Sequence, residues 1–245
     1  MKLKVMTYNI HKGFSTGGMK YILRTIKEAL STTAADIVLL QEVVGQHHDH
    51  DNKDWPTESQ FEFLADQLWS HYSYAKNAIF SKFHYGNAIL SRYPILQEKH
   101  TVISTNRFEQ RGLLHCEVEI PEINQKIHLY NVHLDLLKRG RRLQFKKIVS
   151  QIQSDVKEKE RFIMGGDFND WTGELNQMFI QQMGLEEAHT KFHNRPAKSF
   201  PSFFPMLTLD RVYSRNMNIL NCKPLIGKPW HKLSDHIPLM VEYAL

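Results

Sequence analysis

The chain has 245 residues, of which 42% are hydrophobic and 23% charged, and its formal net charge is +5 at pH 7. This composition excludes an intrinsically disordered chain, and no run approaches the roughly 20 apolar residues needed to cross a bilayer. The mild basic excess suits a polyanionic partner, such as nucleic acid or an acidic lipid surface, without establishing one.

Residues 1–245 are predicted to form one domain, because the chain has no internal repeat and no linker rich in Gly, Ser or Pro. The amino terminus has a short basic start but lacks the apolar segment of a signal peptide. Cys116 and Cys222 lie far apart in apolar contexts, which is typical of buried, reduced thiols. We therefore expect a cytoplasmic location.

Strand patterns alternate with helical patterns early in the chain, and strands dominate later. Apolar runs predict strands at residues 4–9, 36–42, 87–92, 113–120, 127–133, 161–165, 207–213 and 237–243. Apolar stripes with a helical period predict helices at residues 19–30, 58–69 and 141–152. This order favours an α/β fold in which two mixed sheets pack face to face with helices outside.

Polar side chains recur at the ends of these predicted strands. They are Asn9, Glu42, His133 with Asp135, Asp167 with Asn169, Asp210, and Asp235 with His236. One such cluster, GGDFND at residues 165–170, would be ordinary turn chemistry. The whole set favours one shared site, because buried carboxylates are costly unless they are paired or bind a metal. An oxygen-rich set without cysteine indicates Mg²⁺ or Mn²⁺, and histidines beside such an ion suit phosphate chemistry.

Seven segments in order resemble the endonuclease/exonuclease/phosphatase superfamily, the DNase I-like proteins. They are TYNIHKG, LLQEV, YGNAILSRYPI, NVHLD, GGDFND, LDRVYS and LSDHIPL, and they span nearly the whole chain. The chain looks especially similar to small bacterial members of unassigned substrate. The resemblance implies a four-layer sandwich and a divalent-metal-dependent phosphodiesterase that uses in-line attack by water.

The resemblance also implies a role for each strand-end residue. Glu42 and Asn9 would hold Mg²⁺ or Mn²⁺, with Asp235 close to the ion. Asp167 would be the general base or water orienter, and Asn169 would donate to a phosphate oxygen. The remaining catalytic positions are His236, which would contact the phosphate, Asp210, which would accept its other ring N–H, and His133, which would add charge at the phosphate.

Several residues are assigned weaker or purely structural roles. Asn87 and Arg142 are candidate substrate-binding residues, and Asp170 is expected to be only part of the turn. Gly165 and Gly166 fit a close approach of the backbone to the site. His11 stands where the superfamily often has an acidic or polar residue, which leaves a second metal open. The HHDHD cluster at residues 47–51 is expected to be a solvated loop.

The sequence leaves the substrate open, with nucleic acid favoured over phospholipid. On a helix, Arg139, Arg142 and Lys146 would share one face that could line a nucleic-acid backbone or could simply be solvated. Phe200, Phe203 and Phe204 could form an apolar lip that enters a membrane surface, although burial under the second sheet is slightly favoured. A catalytically inactive binding or scaffold protein with the same fold is the alternative of another class.

Overall fold

Two mixed β-sheets pack face to face in this computed structural model, which describes residues 1–18, 20–47, 55–80, 83–106 and 109–245. The first sheet contains β1 (Lys2–Asn9), β2 (Ile37–His47), β3 (His71–Ile79), β4 (Phe83–Ser91), β11 (Asn218–Pro224) and β12 (Leu239–Ala244). The second contains β5 (Ile95–Val102), β6 (Gly112–Ile120), β7 (Gln125–His133), β8 (Arg161–Asp167), β9 (Glu186–Glu187) and β10 (Asp210–Arg215). The strand orders are β11-β12-β1-β2-β4-β3 and β5-β6-β7-β8-β10-β9.

The helices α1 (Leu23–Ser31), α2 (Gln60–Ala65) and α6 (Trp230–Leu233) cover the outer face of the first sheet, and α3 (Lys138–Asp155) and α4 (Glu174–Met183) cover that of the second. The short helix α5 (Ala188–His193) contacts a strand of each sheet, β10 and β11. One apolar cluster lies between the sheets, a second joins the first sheet to α1, α2 and α6, and a third joins the second sheet to α3 and α4. The predicted α/β sandwich with outer helices is therefore confirmed. No helix in these described ranges is long and apolar enough to span a membrane.

The direction of the strands brings the polar residues to one edge of the sandwich. β1 pairs with β2 and β7 with β8 in parallel, so their carboxyl ends meet at a common edge. β10 and β12 run antiparallel to β8 and β1, and they begin where those strands end. The strand predicted at 207–213 was therefore wrong at its start, because Asp210 opens β10 and does not follow a strand formed by the run before it.

Other boundaries also differ from the sequence predictions. The strands β3, β5, β9 and β11 were missed, and β5 has only exposed or half-exposed residues. The helix predicted from residue 19 begins at Leu23, and residue 19 itself lies outside the described residues. The helix predicted at 58–69 ends at Ala65, whereas the third extends to Asp155. Of the HHDHD segment only the backbone of His47 is described.

The two glycines before Asp167 serve packing between strands and sheets. A Cβ on Gly165 would lie 2.7 Å from Leu39 Cδ1 of the facing sheet. Gly166 has a φ of +152°, and a Cβ there would lie 2.0 Å from the carbonyl oxygen of Val132 on β7. The close approach predicted for these glycines therefore exists, but it is to Leu39 and Val132.

Candidate active site

Asp167 lies at the centre of a row of three polar residues across the second sheet. In the strand register it is paired with His133 of β7 on one side and with Asp210 of β10 on the other. All three side chains are buried, and His133 Nε2 lies 3.5 Å from Asp167 Oδ2. The strand ends thus bring these three predicted residues together, as the sequence pattern suggested.

His236 lies between the two carboxylates of this row. Its Nδ1 is 2.7 Å from Asp210 Oδ2, and its Nε2 is 3.6 Å from Asp167 Oδ2. Burial lowers the pKa of His236, but the charges of Asp210 and Asp167 outweigh burial and raise the pKa to about 10. His236 is therefore an imidazolium at neutral pH. His133 differs, because burial and the nearby guanidinium of Arg111 hold the pKa of His133 well below its usual range.

Two asparagines orient the carboxylate of Asp167. Asn9 Nδ2 donates to Asp167 Oδ2 at 3.1 Å, and the backbone N–H of Asn169 donates to Asp167 Oδ1 at 3.0 Å. Asn169 adopts a φ of +49°, and its own Nδ2 donates to the carbonyl oxygen of Leu134. Burial, opposed by His236, raises the pKa of Asp167 to about 6. A carboxylate with this pKa can accept a proton near neutral pH.

The first sheet contributes Glu42, beside a register irregularity between Leu40 and Val43 in its pairing with β4. Glu42 has a φ of +55°, and its Oε1 accepts a hydrogen bond from Asn9 Nδ2 at 3.4 Å. Burial raises the pKa of Glu42, but the ammonium of Lys12 and the protonated ring of His236 oppose burial, and the pKa falls to about 2. Glu42 is therefore a carboxylate at any pH near neutral.

Asp235 reaches the same opening from the segment before β12. Its side chain is 31% exposed, and His11 Nδ1 lies 3.9 Å from its Oδ1. Ser234, which precedes it, donates through Oγ to the carbonyl oxygen of Asn9 and accepts from the backbone N–H of His236. Ser234 thereby ties the loop before β12 to the end of β1.

The donor set fits a hard divalent cation. Glu42 and Asp235 are partly accessible carboxylates at the opening, and such oxygens are the ligands that Mg²⁺ and Mn²⁺ prefer. As oriented, Asn9 presents its NH₂ group to Glu42 and Asp167 and accepts from the His11 N–H through Oδ1. Asp167, Asp210 and His236 also offer ligand atoms within 4.8 Å of one another, but the two carboxylates there already pair with the imidazolium.

Three residues near the site were not predicted from the sequence: Lys12, Arg111 and Ser234. Lys12 stands inside the TYNIHKG segment, which is a signal that could have indicated it. Arg111 lies just before β6 and is buried with its Nε 3.9 Å from Asp135 Oδ1. Nothing in the local sequence of Arg111 marks it, because its position beside His133 depends on the folding of the sheet.

The two weaker candidates lie in other surroundings. Asn87 is wholly buried between the sheets, where its Nδ2 donates to the carbonyl oxygens of Gly112 and Asn131. Arg142 lies on the exposed face of α3, where it pairs with Glu174 of α4.

Asp170 is more than a turn residue, so the sequence interpretation was incomplete. It is wholly buried, and its Oδ2 lies 3.6 Å from Nη1 of Arg211, which is also wholly buried. Its oxygens also accept from Thr172 and from the backbone N–H of Asn176. The side chain of Arg211 therefore faces Asp170, as expected for a residue that alternates with Asp210 on β10.

The aromatic segment before β10 is exposed, which corrects the favoured prediction of burial. Phe203 and Phe204 are 68% and 65% exposed, and Met206 is also exposed. Only Phe200 turns inward, with its ring 5.1 Å from the ring of His236. The segment thus reaches from the imidazole of His236 to solvent, and its outer part forms an apolar lip.

The Endonuclease/Exonuclease/phosphatase family model matches residues 6–236. The chain belongs to this family. Its members are generally hydrolases of phosphoesters that use divalent metal ions. The family explains why carboxylates and histidines from both sheets meet at one edge.

The relatives extend over nearly the whole chain. It is 41% identical to a protein of Escherichia coli K12 named uncharacterized protein YbhP, over 99% of this chain and 96% of the relative. Its fold is similar to that of an endonuclease/exonuclease/phosphatase from Beutenbergia cavernae, with a TM-score of 0.80 and 18% identity. The match covers 100% of this chain and 72% of the other chain. The fold is also similar to that of D. rerio TDP2 complexed with a single-strand DNA product, with a TM-score of 0.73 and 16% identity. That match covers 100% of this chain and 99% of the other chain.

Proposed function

We propose that this protein is a divalent-metal-dependent phosphodiesterase that hydrolyses its substrate by in-line attack of water. The observation that carries the proposal is the buried imidazole ring of His236 held between Asp210 and Asp167, whose charges favour its protonated form. A fixed cation beside a carboxylate that can accept a proton suits the charge that develops on a phosphoryl group.

Glu42 and Asp235, with Asn9 at their side, would hold Mg²⁺ or Mn²⁺. Bound there, the ion supplies charge neutralisation at a phosphoryl oxygen. Asp167 orients the attacking water and accepts its proton, and its two asparagine donors fix the direction of its oxygens.

The remaining residues act on the phosphate. His236 donates from Nε2, while Asp210 holds Nδ1 and so fixes the ring and its charge. His133 is a neutral donor in this arrangement, since its pKa is low. Asn169 has one amide hydrogen on the carbonyl oxygen of Leu134 and a second that is available to a phosphate oxygen.

Nucleic acid is the substrate we favour. The net charge of +5 and the exposed basic face of α3, with Arg139, Arg142 and Lys146, support a polyanion. The TDP2 structure in complex with a DNA product gives a precedent on the same fold. We further propose a cytoplasmic location, which the two free, buried cysteines support.

A phospholipid phosphodiesterase is the second candidate, because the exposed lip of Phe203 and Phe204 favours it. Two aromatic rings at 68% and 65% exposure beside the segment that contacts His236 could enter the interface of a membrane. The protein would then contact membranes peripherally while it cleaves a headgroup.

The test is metal-dependent hydrolysis across plasmid DNA, RNA, mixed phospholipid vesicles and a simple aryl phosphodiester. We expect Asp167→Asn and His236→Ala each to lower turnover by at least about a hundredfold with the fold intact, since both act in the transition state. Asp66→Asn, which removes a surface carboxylate paired with Lys27, is the matched control. Near-full activity of either site variant would refute the role of that residue.

The same panel separates the substrates. Phe203→Ala with Phe204→Ala should weaken vesicle association and lipid cleavage only under the phospholipid reading, with DNA cleavage unchanged. Phe192→Ala removes an exposed aromatic ring from α5 and serves as its control. A folded, metal-binding protein that cleaves none of these substrates would favour a non-catalytic scaffold.

A further inference from the structure

The ammonium of Lys12 lies against the carboxylate that the proposed function assigns to the metal. Lys12 Nζ is 2.5 Å from Glu42 Oε2, and it also lies 5.0 Å from the centre of the Tyr85 ring. Both side chains are partly exposed, at 32% for Lys12 and 18% for Glu42. The ion pair therefore sits at the mouth of the site, where a cation from solvent can reach the same carboxylate.

The backbone around Lys12 is held in an unfavourable conformation that places the ammonium there. His11 and Lys12 have φ values of +46° and +56°, a region that residues with a Cβ rarely adopt. The carbonyl oxygen of Lys12 accepts a hydrogen bond from Nε2 of Gln60 at 2.8 Å. Gln60 is wholly buried, and its Oε1 accepts from the backbone N–H of Val44 at 2.9 Å. Such strain persists when surrounding contacts over-determine it, and it concentrates at functional sites.

We propose that Lys12 is a built-in cation that competes with the divalent ion for Glu42 and so sets the metal affinity of the site. The inference rests on the proposed function, because it assumes that the ion binds at Glu42. The ammonium of Lys12 neutralises the carboxylate of Glu42. A divalent ion held by Glu42 would have to displace that ammonium, which would keep its contact with the face of the Tyr85 ring. Lys12 is thus a positioning residue that acts through Glu42.

The experiment measures Mn²⁺ affinity by electron paramagnetic resonance and by calorimetry, on the whole chain without substrate. Lys12→Met removes the competing charge, and we expect it to bind Mn²⁺ on the order of tenfold more tightly. Lys12→Arg keeps the charge and should remain within about twofold of the unsubstituted protein. The control is Lys27→Met, because Lys27 also pairs with a carboxylate, that of Asp66, and lies over an aromatic ring, that of Phe63. This control should leave the Mn²⁺ affinity unchanged.

If Lys12→Met binds Mn²⁺ with the same affinity as the unsubstituted protein, or with a weaker one, the inference is overturned. A purely structural role predicts that weaker binding, together with a lower melting temperature, which is measured in parallel. Should Lys12→Met fail to fold, Lys12→Gln makes the same test with a polar side chain.

A Glu42→Gln variant distinguishes failure of this inference from failure of the proposed function. Strong loss of Mn²⁺ binding in Glu42→Gln supports the metal assignment, and an unchanged Lys12→Met then refutes only the role of Lys12. If the unsubstituted protein does not bind Mn²⁺, or if Glu42→Gln still binds it, the metal assignment and this inference are both refuted.

Discussion

His115 should make the protein less stable as the pH falls from 7 to 5, although it lies on the outer face of the second sheet. Its Nε2 is hydrogen-bonded to His128 Nδ1 at 3.0 Å, and its ring stacks on Tyr130 at 4.3 Å. Burial, and then the neighbouring His128, lower the pKa of His115 from 6.5 to about 4, although Asp155 opposes them. Between pH 4 and pH 6.5, His115 is therefore protonated less readily in the folded protein than in the unfolded chain.

The sign and size of the effect follow from proton linkage. Because the unfolded chain binds more protons between pH 4 and pH 6.5, the free energy of unfolding rises with pH in that range. The contribution of neutral His115 to stability is therefore lost as the pH falls through 6.5 toward 4. The two pKa values imply a loss of about 2 kcal/mol between pH 7 and pH 5. The charged groups around the pair of histidines are Asp155, Lys99, Glu117 and Glu160.

Urea unfolding of His115→Gln beside the unsubstituted protein measures this component. At pH 7 the variant should be less stable, since it loses the stacked ring, but its disadvantage should shrink or reverse at pH 5. His71→Gln, on the edge strand β3, is the control for a histidine outside the cluster. A stability difference that stays constant from pH 7 to pH 5 would refute the reasoning.

Two further predictions concern buried carboxylates. Asp210→Asn should lower turnover at least about a hundredfold. It should also move the alkaline limit of activity to lower pH, because Asp210 raises the pKa of His236. A pH–rate profile whose alkaline limb does not move would contradict this role. Arg211→Met should destabilise the fold by about 3–5 kcal/mol in urea unfolding, because it leaves the carboxylate of Asp170 buried without its cation. Adding Asp170→Asn should recover part of that loss, and a double variant less stable than the single one would count against the pairing.

The sequence predicted the central strands best, because those strands are buried on both faces. β8 is an apolar run that ends in Asp167, and β1 is buried from Val5 to Asn9. Buried runs of this kind are strong strand signals. β2 was predicted only as far as Glu42, whereas it continues to His47. The edge strand β5 has exposed or half-exposed residues throughout, so its composition resembles that of a loop. The strand β9 has two residues and is defined only by its pairing with β10.

The site could be predicted where a residue acts through its own chemistry at a strand end. Asp167 ends β8 and His236 lies just before β12, as the sequence pattern predicts. Glu42 was expected at the end of a strand, but it lies inside β2 beside a register irregularity. Lys12 was missed because its position against Glu42 depends on a left-handed backbone conformation and on a hydrogen bond from the distant Gln60. Phe203 and Phe204 were expected to be buried, because an apolar run between prolines does not reveal on which side of the sheet the chain passes.

The geometry of the proposed active site depends on the alignment of the two sheets, because each sheet supplies half of it. Glu42 belongs to the first sheet and Asp167 to the second, and Asn9 bonds to both. Behind these residues, Gln41 Nε2 donates to Asn131 Oδ1 at 2.7 Å, and Asn131 Nδ2 donates to two carbonyl oxygens of the facing sheet at 2.8 Å. These amide N–H groups are buried, so a shift of one sheet against the other would leave them without acceptors, which is costly away from water. The polar cluster between the sheets therefore fixes the distance between Glu42, the proposed metal ligand, and Asp167, the proposed proton acceptor.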